Sequence, residues 1–433
     1  MKSLEQIAQA LAGYDPHALP AASVNAFLAE MVPLPVKTET LGLLQALGRI
    51  LAQDVISPID VPPHDNSAMD GFAFEGRALP SDKAIRLQIA GSALAGKAFT
   101  GTVSFGECIK VMTGAILPTP LDTVVPQELV QMKDGAIEVL PGTVKPGDNR
   151  RLRGEDVQAA RVALAAGSVL GPAALGLIAS LGFDKVTVYR KLRVAYFSTG
   201  DEILSLGDAP REGAVYDSNR YTVWGLLQKL GVECLDLGVV PDAPQALETA
   251  FQRAAEQADA IITSGGVSVG EADHTKAIMR KLAHGKEPGH DGVAFWRIAM
   301  RPGRPMAVGR IGSVPLFGLP GNPVAVMVTF LAFVRPALWR MMGARSDDPQ
   351  VKVPLLQARS SEVLRKKPGR TEYQRAIVWR EADGSLRVRT TGQQGSGVLS
   401  SMVQANGLLV LAHDQGQVQP GDWVDVMMFA GVI

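Results

Sequence analysis

The sequence predicts a multidomain fold of class α/β plus β: a mostly parallel α/β domain, an inserted β domain, a split helical domain around that insertion, and a barrel-like C-terminal β domain. Three observations carry this. From Leu192 to about residue 340, apolar strand-type runs alternate with helical patterns, the order that yields a parallel sheet covered by helices. Between residues 85 and 150, brief β-type runs are separated by Gly and Pro at short spacing, as in a small barrel or sandwich. After residue 348 the strand-like runs return. The 433 residues accommodate about three domains at roughly 150 residues each. Residues 1–57 with 151–190 form the split helical part, 58–150 the insertion, 191–347 the α/β domain and 348–433 the last β domain.

In chain order, residues 22–57 have helical spacing, with Ser23 as N-cap and Phe27, Leu28 and Met31 on one face, and residues 40–55 continue it. Ser57-Pro58 and Val61-Pro62-Pro63 interrupt any helix, because proline removes a donor and restricts the residue before it. A polar loop occupies 64–71, and a helical pattern returns at 171–181. In the α/β part, strands at 194–197, 232–237 and 260–263 alternate with helices at 219–230 and 244–257. Two more strands are expected at 295–300 and 315–318, then an apolar helix from Val324 that Pro336 should kink or end.

Composition narrows the function. Lys plus Arg and Asp plus Glu both total 43, so nothing draws the chain to nucleic acid or to a membrane surface by bulk charge. The apolar run 324–334 is shorter than the roughly 20 residues a bilayer requires, and the N-terminal segment lacks the apolar core of a signal peptide. No membrane span is expected. Cys108 and Cys234 form no CxxC pair, which excludes a disulfide framework or zinc knuckle and fits a reducing cytoplasmic setting.

The chemistry gathers at residues 261–276, IITSGGVSVGEADHTK. A strand enters a turn built from Ser264, Gly265, Gly266, Ser268 and Gly270, and Glu271 and Asp273 close it before a helix. Glycines let the backbone approach a ligand, and amides at a helix start favour an anion. Taken alone, such a loop is also met as an ordinary connection; it is neither a Walker A motif nor G-x-G-x-x-G. Asp201, Glu202, Asp242, Glu271 and Asp273 all fall at or near strand ends on one sheet edge, where carboxylates call for a cation such as Mg²⁺ held with phosphate oxygens and water. Arg297, Arg301 and Arg304, spaced by Pro and Gly, form the basic counterpart, suited to an oxyanion; a solvated turn is the plain alternative.

Seven motifs occur in one order: Asp65-Asn66-Ser67-Ala68-Met69-Asp70-Gly71, Met112-Thr113-Gly114-Ala115, Arg153-Gly154-Glu155-Asp156, Ser198-Thr199-Gly200-Asp201-Glu202, Tyr216-Asp217-Ser218-Asn219-Arg220, the 264–273 loop, and Gly318-Leu319-Pro320-Gly321-Asn322-Pro323. Over nearly the whole chain this resembles the molybdopterin molybdenumtransferase (MoeA) family, related to the C-terminal part of gephyrin. The resemblance implies a homodimer with its cleft between the α/β domain of one subunit and the β insertion of the other. It implies a Mg²⁺-dependent enzyme that takes adenylylated molybdopterin and molybdate and yields molybdenum cofactor and AMP. Other molybdenum-cofactor biosynthesis proteins and apo-molybdoenzymes are the implied protein partners. A non-catalytic molybdopterin-binding or scaffold protein is the alternative on this architecture. By position, Asp70, Thr113, Asp156, Glu202, Asp242 and Asp273 match the family's cleft residues. Asp201, Glu202, Asp242 and Asp273 are assigned to the metal, the loop amides to phosphate, the three arginines to anionic substrates, and Pro320 and Pro323 to the cleft wall. The chain departs from the family's bacterial pattern in carrying Arg297, Arg301 and Arg304 where Lys is common, His274 in place of Tyr, and a short insertion near residues 284–292.

Overall fold

The structure is a computed structural model and describes residues 2–11, 14–266, 274–283 and 292–432. Its centre is a six-stranded sheet in the order Glu233–Val240, Arg193–Thr199, Ala260–Ser264, Val314–Leu319, Pro305–Ile311, Val293–Arg297. The first four are parallel neighbours and the last two add antiparallel. Side chains alternate across the sheet. Val194, Tyr196 and Ile262 face a core shared with helix Ser218–Lys229 and the apolar helix that begins at Pro323. Ala195, Phe197 and Ile261 face the other way, against helices Pro244–Gln257 and His274–Ala283.

The helix after Pro323 runs through Pro336 to Met341, so the proline does not end it. Proline at 336 has no N–H to give. The helix absorbs this by widening into a π-helical stretch, Phe330–Val334, after which the Arg335 amide donates to the Phe330 carbonyl five residues back. By length and composition this helix could cross a membrane, but 89% of it is buried inside the protein, where it is the core helix of the α/β sheet.

Residues 40–55 are not helical. Thr38–Gly42 is a strand paired antiparallel with Lys185–Tyr189, Leu43–Ala46 is a short 3-10 turn, and Val55–Ile56 pairs near Val162–Leu164. Gly48 has φ +73°, outside the helical region, and Thr38 and Thr40 suit a strand. The helix before it is Ala21–Met31, entered from Pro20 rather than capped by Ser23. That helix packs on the central sheet, with Phe27 edge-on to Trp296 at 4.8 Å, while the Leu19 amide and carbonyl both bond to the chain at Arg297 and Ala299.

The inserted region forms a curled six-stranded mixed sheet in which Gly71–Phe74 is buried along its whole length. At the C-terminal end five strands close on themselves. Thr371–Arg380 pairs with both Leu386–Thr390 and Gly407–Leu411, and Leu355–Ser360 and Trp423–Met428 complete the barrel. Met300–Arg301 then pairs parallel with Thr371–Glu372, which fastens the arginine segment to the barrel.

Under the central sheet Phe197 and Phe251 meet edge-on at 5.0 Å, both fully buried. Phe251→Ala is therefore expected to cost about 3–5 kcal/mol of stability, measured by urea unfolding.

Candidate functional site

The chain runs opposite ways from Arg193–Thr199 and Ala260–Ser264, so a crevice opens outside their carboxyl ends, the usual ligand position in such sheets. A cleft lies there in two joined halves, about 600 Å³ and about 570 Å³, which share Glu202, Gly265, Gly321 and Asn322. Its position follows from sheet topology.

The smaller half is floored by Ser198, Thr199, Ser264 and Gly265. The two glycines of the turn are required. Gly265 has φ +88°, and a Cβ there would stand 2.4 Å from the Thr199 carbonyl oxygen; at Gly266, φ +62°, it would meet the Thr275 hydroxyl at 2.4 Å. The wall is the start of helix Ser218–Lys229. Asp217 caps it by accepting from the Arg220 amide at 3.0 Å, and the Asn219 side-chain amide donates to the Gly321 carbonyl at 2.7 Å. Ser268, Gly270, Glu271 and Asp273 lie outside the described residues.

Of the remaining acids, Glu202 lines both halves. Its carboxylate folds back over Gly200, with Oε2 2.6 Å from where a Cβ would stand. Asp201 and Asp242 are neighbours through the Asp242 amide, which donates to Asp201 Oδ1 at 3.1 Å, but neither lines the cleft. Among the described residues no group of three or more His, Cys, Asp or Glu side chains converges as a metal site. One or two carboxylates with substrate oxygens and water suffice for Mg²⁺, however, and Glu202, the acid that lines both halves, fits that smaller requirement.

The larger half has a basic wall. Arg301 and Arg304 line it, together with Pro302, Gly303 and Pro320, while Pro323 lines the other half. Arg297 does not join them. It stands on the edge strand opposite Pro305, exposed, so spacing in sequence overstated the cluster by one residue.

A residue that motif reasoning missed holds the far wall. Arg375, fully buried on barrel strand Thr371–Arg380, donates through Nε to the Ser401 hydroxyl at 2.9 Å and through Nη2 to the Gln393 and Gly395 carbonyls at 3.0 and 2.9 Å. Burial, and then the charge of Arg301, lower its pKa from the usual arginine range, yet it remains a cation at neutral pH. The segment it clamps supplies Gln394, Gly395 and Ser396 to the cleft, and the Ser396 carbonyl accepts from the Val324 amide at the start of the core helix. The available signal was a charged residue inside a strand-like run, followed by Gly395-Ser396-Gly397.

Asp70, Thr113 and Asp156 line neither half of the cleft. Asp70 and Thr113, 43 residues apart, do meet: the Thr113 amide and hydroxyl both donate to Asp70 Oδ1 at 2.7 Å, and these two bonds hold the Asp70 carboxyl below its ordinary range. Asp156 is exposed, with its amide on the Val61 carbonyl.

Comparison with known proteins finds matches along most of the chain. Residues 19–182 match the MoeA N-terminal region (domain I and II), 195–340 a probable molybdopterin binding domain, and 357–429 the MoeA C-terminal region (domain IV). The chain is 40% identical over 400 residues to molybdopterin molybdenumtransferase of Haemophilus influenzae, covering 92% of this chain and 96% of that one. It is 34% identical to the enzyme of that name from Nostoc, over 90% of this chain and 88% of the relative. The crystal structure of the molybdopterin biosynthesis moeA protein of Pyrococcus horikoshii superposes with a TM-score of 0.78 at 27% identity, over 95% of this chain and 100% of that chain. The chain belongs to the molybdopterin molybdenumtransferase family.

Proposed function

We propose that the protein inserts molybdenum from molybdate into adenylylated molybdopterin, releasing AMP and forming molybdenum cofactor. Its family makes it an enzyme of molybdenum cofactor biosynthesis acting on a molybdopterin-related substrate. One observation supports the finer reading most: a single cleft joins a glycine- and hydroxyl-lined sheet edge bearing Glu202 to a wall bearing Arg301 and Arg304.

The sheet edge suits phosphate, because glycine lets backbone and hydroxyl groups reach its oxygens. The arginine wall suits the molybdate dianion, which planar guanidinium groups can grip by two N–H donors at once. The dithiolene sulfurs of the pterin are soft ligands for molybdenum, so the protein need not contribute a thiolate. That agrees with its cysteines: Cys108 is buried with its thiol pushed up to about 12, and Cys234 up to about 11, both by burial first, and neither lines the cleft. The chain's task is then to hold two anions side by side and to stabilise charge as the phosphoanhydride breaks. Mg²⁺, held by Glu202 with phosphate oxygens and water, would supply neutralisation of the phosphate charge, and the resemblance assigns Asp201 and Asp242 to it as well. The resemblance assigns Asp273 to the same role.

We also propose a homodimer, with Asp70, Thr113 and Asp156 of a second copy completing the cleft. Two observations support it. These residues do not line the cleft of their own chain. Helix Pro172–Ser180, apolar on nearly every side, buries only Ile178, and Leu44 on the 3-10 turn it packs against and Leu47 just after that turn are 86% and 56% exposed. An apolar helix left this open is expected to be covered.

The purified protein, given adenylylated molybdopterin, Mg²⁺ and molybdate, is expected to release AMP and form active cofactor, with tungstate run in parallel. Glu202→Gln should lower molybdate-dependent AMP release about a hundredfold while the fold persists by circular dichroism; wild-type release from that variant contradicts the carboxylate's role. Arg301→Ala should raise the KM for molybdate about tenfold and Arg297→Ala should leave it unchanged, as steady-state kinetics can measure. Leu44→Glu combined with Leu47→Glu should convert a dimer to monomer in sedimentation velocity, and a wild type that sediments as a monomer refutes the dimer.

A further inference from the structure

We propose that Tyr196 is a positioning residue that makes the Ser264 hydroxyl a directed proton donor to a phosphate group in the smaller half of the cleft. The proposal rests on the phosphate reading of that half. It arises from three hydroxyls whose side-chain partners, among the described residues, are one another.

Ser198 and Ser264 sit opposite each other in the parallel register of Arg193–Thr199 and Ala260–Ser264, and both line the cleft floor. Tyr196, two residues before Ser198, faces the same side of the sheet and extends its ring up from the core; it is 1% exposed. Its hydroxyl lies 2.7 Å from Ser264 Oγ and 2.9 Å from Ser198 Oγ, while the two serine oxygens are 3.3 Å apart. Among the described residues no other side-chain partner is recorded for any of the three. Burial raises the phenol's pKa above its ordinary value, against the opposing pull of the two serine hydrogen bonds, so it keeps its proton across the working pH range.

Three hydroxyls carry three protons, and the triangle has three edges. With the cleft empty of anion, all three protons can circulate within the triangle. A phosphate oxygen at the floor changes this: one proton must turn outward, and the edge given up is the longest, between the two serines. Ser198 then donates to Tyr196, Tyr196 donates to Ser264, and Ser264 donates to the phosphate. Each donor in this chain is polarised by the hydrogen bond it accepts, which strengthens the last one. The order of the chain puts Tyr196 directly behind the donating group and Ser198 one link further back. Phenylalanine at 196 keeps the ring and removes the link. The serines are then left with each other alone, and a Ser264 proton spent on Ser198 is withdrawn from the cleft.

The test is calorimetric titration of inorganic phosphate and AMP into the full-length protein, its Tyr196→Phe variant and its Ser198→Ala variant, with melting temperatures measured alongside. The expected result is that both variants melt close to the wild type, Tyr196→Phe weakens phosphate or AMP binding on the order of tenfold, and Ser198→Ala weakens it less. A merely structural role for the tyrosine does not produce that order at unchanged stability. Wild-type affinity in Tyr196→Phe overturns the proposal, as does a larger loss in Ser198→Ala than in Tyr196→Phe, or a wild type that binds neither probe. Absence of AMP release from adenylylated molybdopterin by the wild type refutes the proposed reaction instead, and leaves the affinity series to judge Tyr196.

Discussion

The site depends on the parallel register between Arg193–Thr199 and Ala260–Ser264, which sets Ser198 beside Ser264 and brings the Thr199 carbonyl against Gly265. That contact leaves no room for a side chain: a Cβ at Gly265 would fall 2.4 Å from backbone oxygen, on a residue whose φ of +88° already disfavours one. The glycine turn is thus both the price of the register and the reason a ligand can come close to the sheet edge. The core beneath is rigid enough to hold that register. Tyr196 and Ile262 are packed on one face of the sheet, and Phe197 against Phe251 on the other.

The opposite wall is positioned by a different device. Burying a guanidinium is costly unless its donors are satisfied, and Arg375 meets this in part, with three hydrogen bonds from Nε and Nη2 to the 393–401 segment while Nη1 stays buried without one. Breaking the set would leave a buried charge, so the segment is held where Gln394 and Ser396 face the cleft. Two backbone links carry the barrel to the sheet: Met300–Arg301 pairs with Thr371–Glu372, and the Ser396 carbonyl caps the Val324 amide. The arginine wall and the core helix are thereby tied to the barrel.

Much of this was legible in the sequence where pattern and physics coincide. The strand and helix alternation after Leu192 has no competing reading, and the Pro244–Gln257 helix falls on its predicted bounds. Residues 40–55 misled because TLGLLQALGRILAQDV has helical spacing, yet its strand is chosen by a partner more than 140 residues away, Lys185–Tyr189. Pro336 does not end its helix because a π-helical stretch accommodates the missing donor. In the site, Glu202 and the glycines were visible as motifs, whereas Arg375 was not, since its role comes from barrel closure rather than from neighbours in sequence. Arg297 shows the converse: three arginines within eight residues look like one cluster, but Arg301 and Arg304 line the cleft and Arg297 does not. The meeting of Asp70 with Thr113 was not legible, because nothing local announces a contact across 43 residues; the resemblance named both only as cleft residues.

The central claim is that one cleft holds phosphate at the sheet edge and molybdate at the arginine wall. It is tested most directly by crystals of the protein grown with molybdate and AMP, using the anomalous scattering of molybdenum to locate the metal. The account predicts a molybdenum peak in the larger half of the cleft, against Arg301 and Arg304 and facing Ser396, with the AMP phosphate toward Ser264. A molybdenum peak elsewhere, such as beside Arg150 and Arg153, or on Arg297 with the cleft vacant, would contradict it.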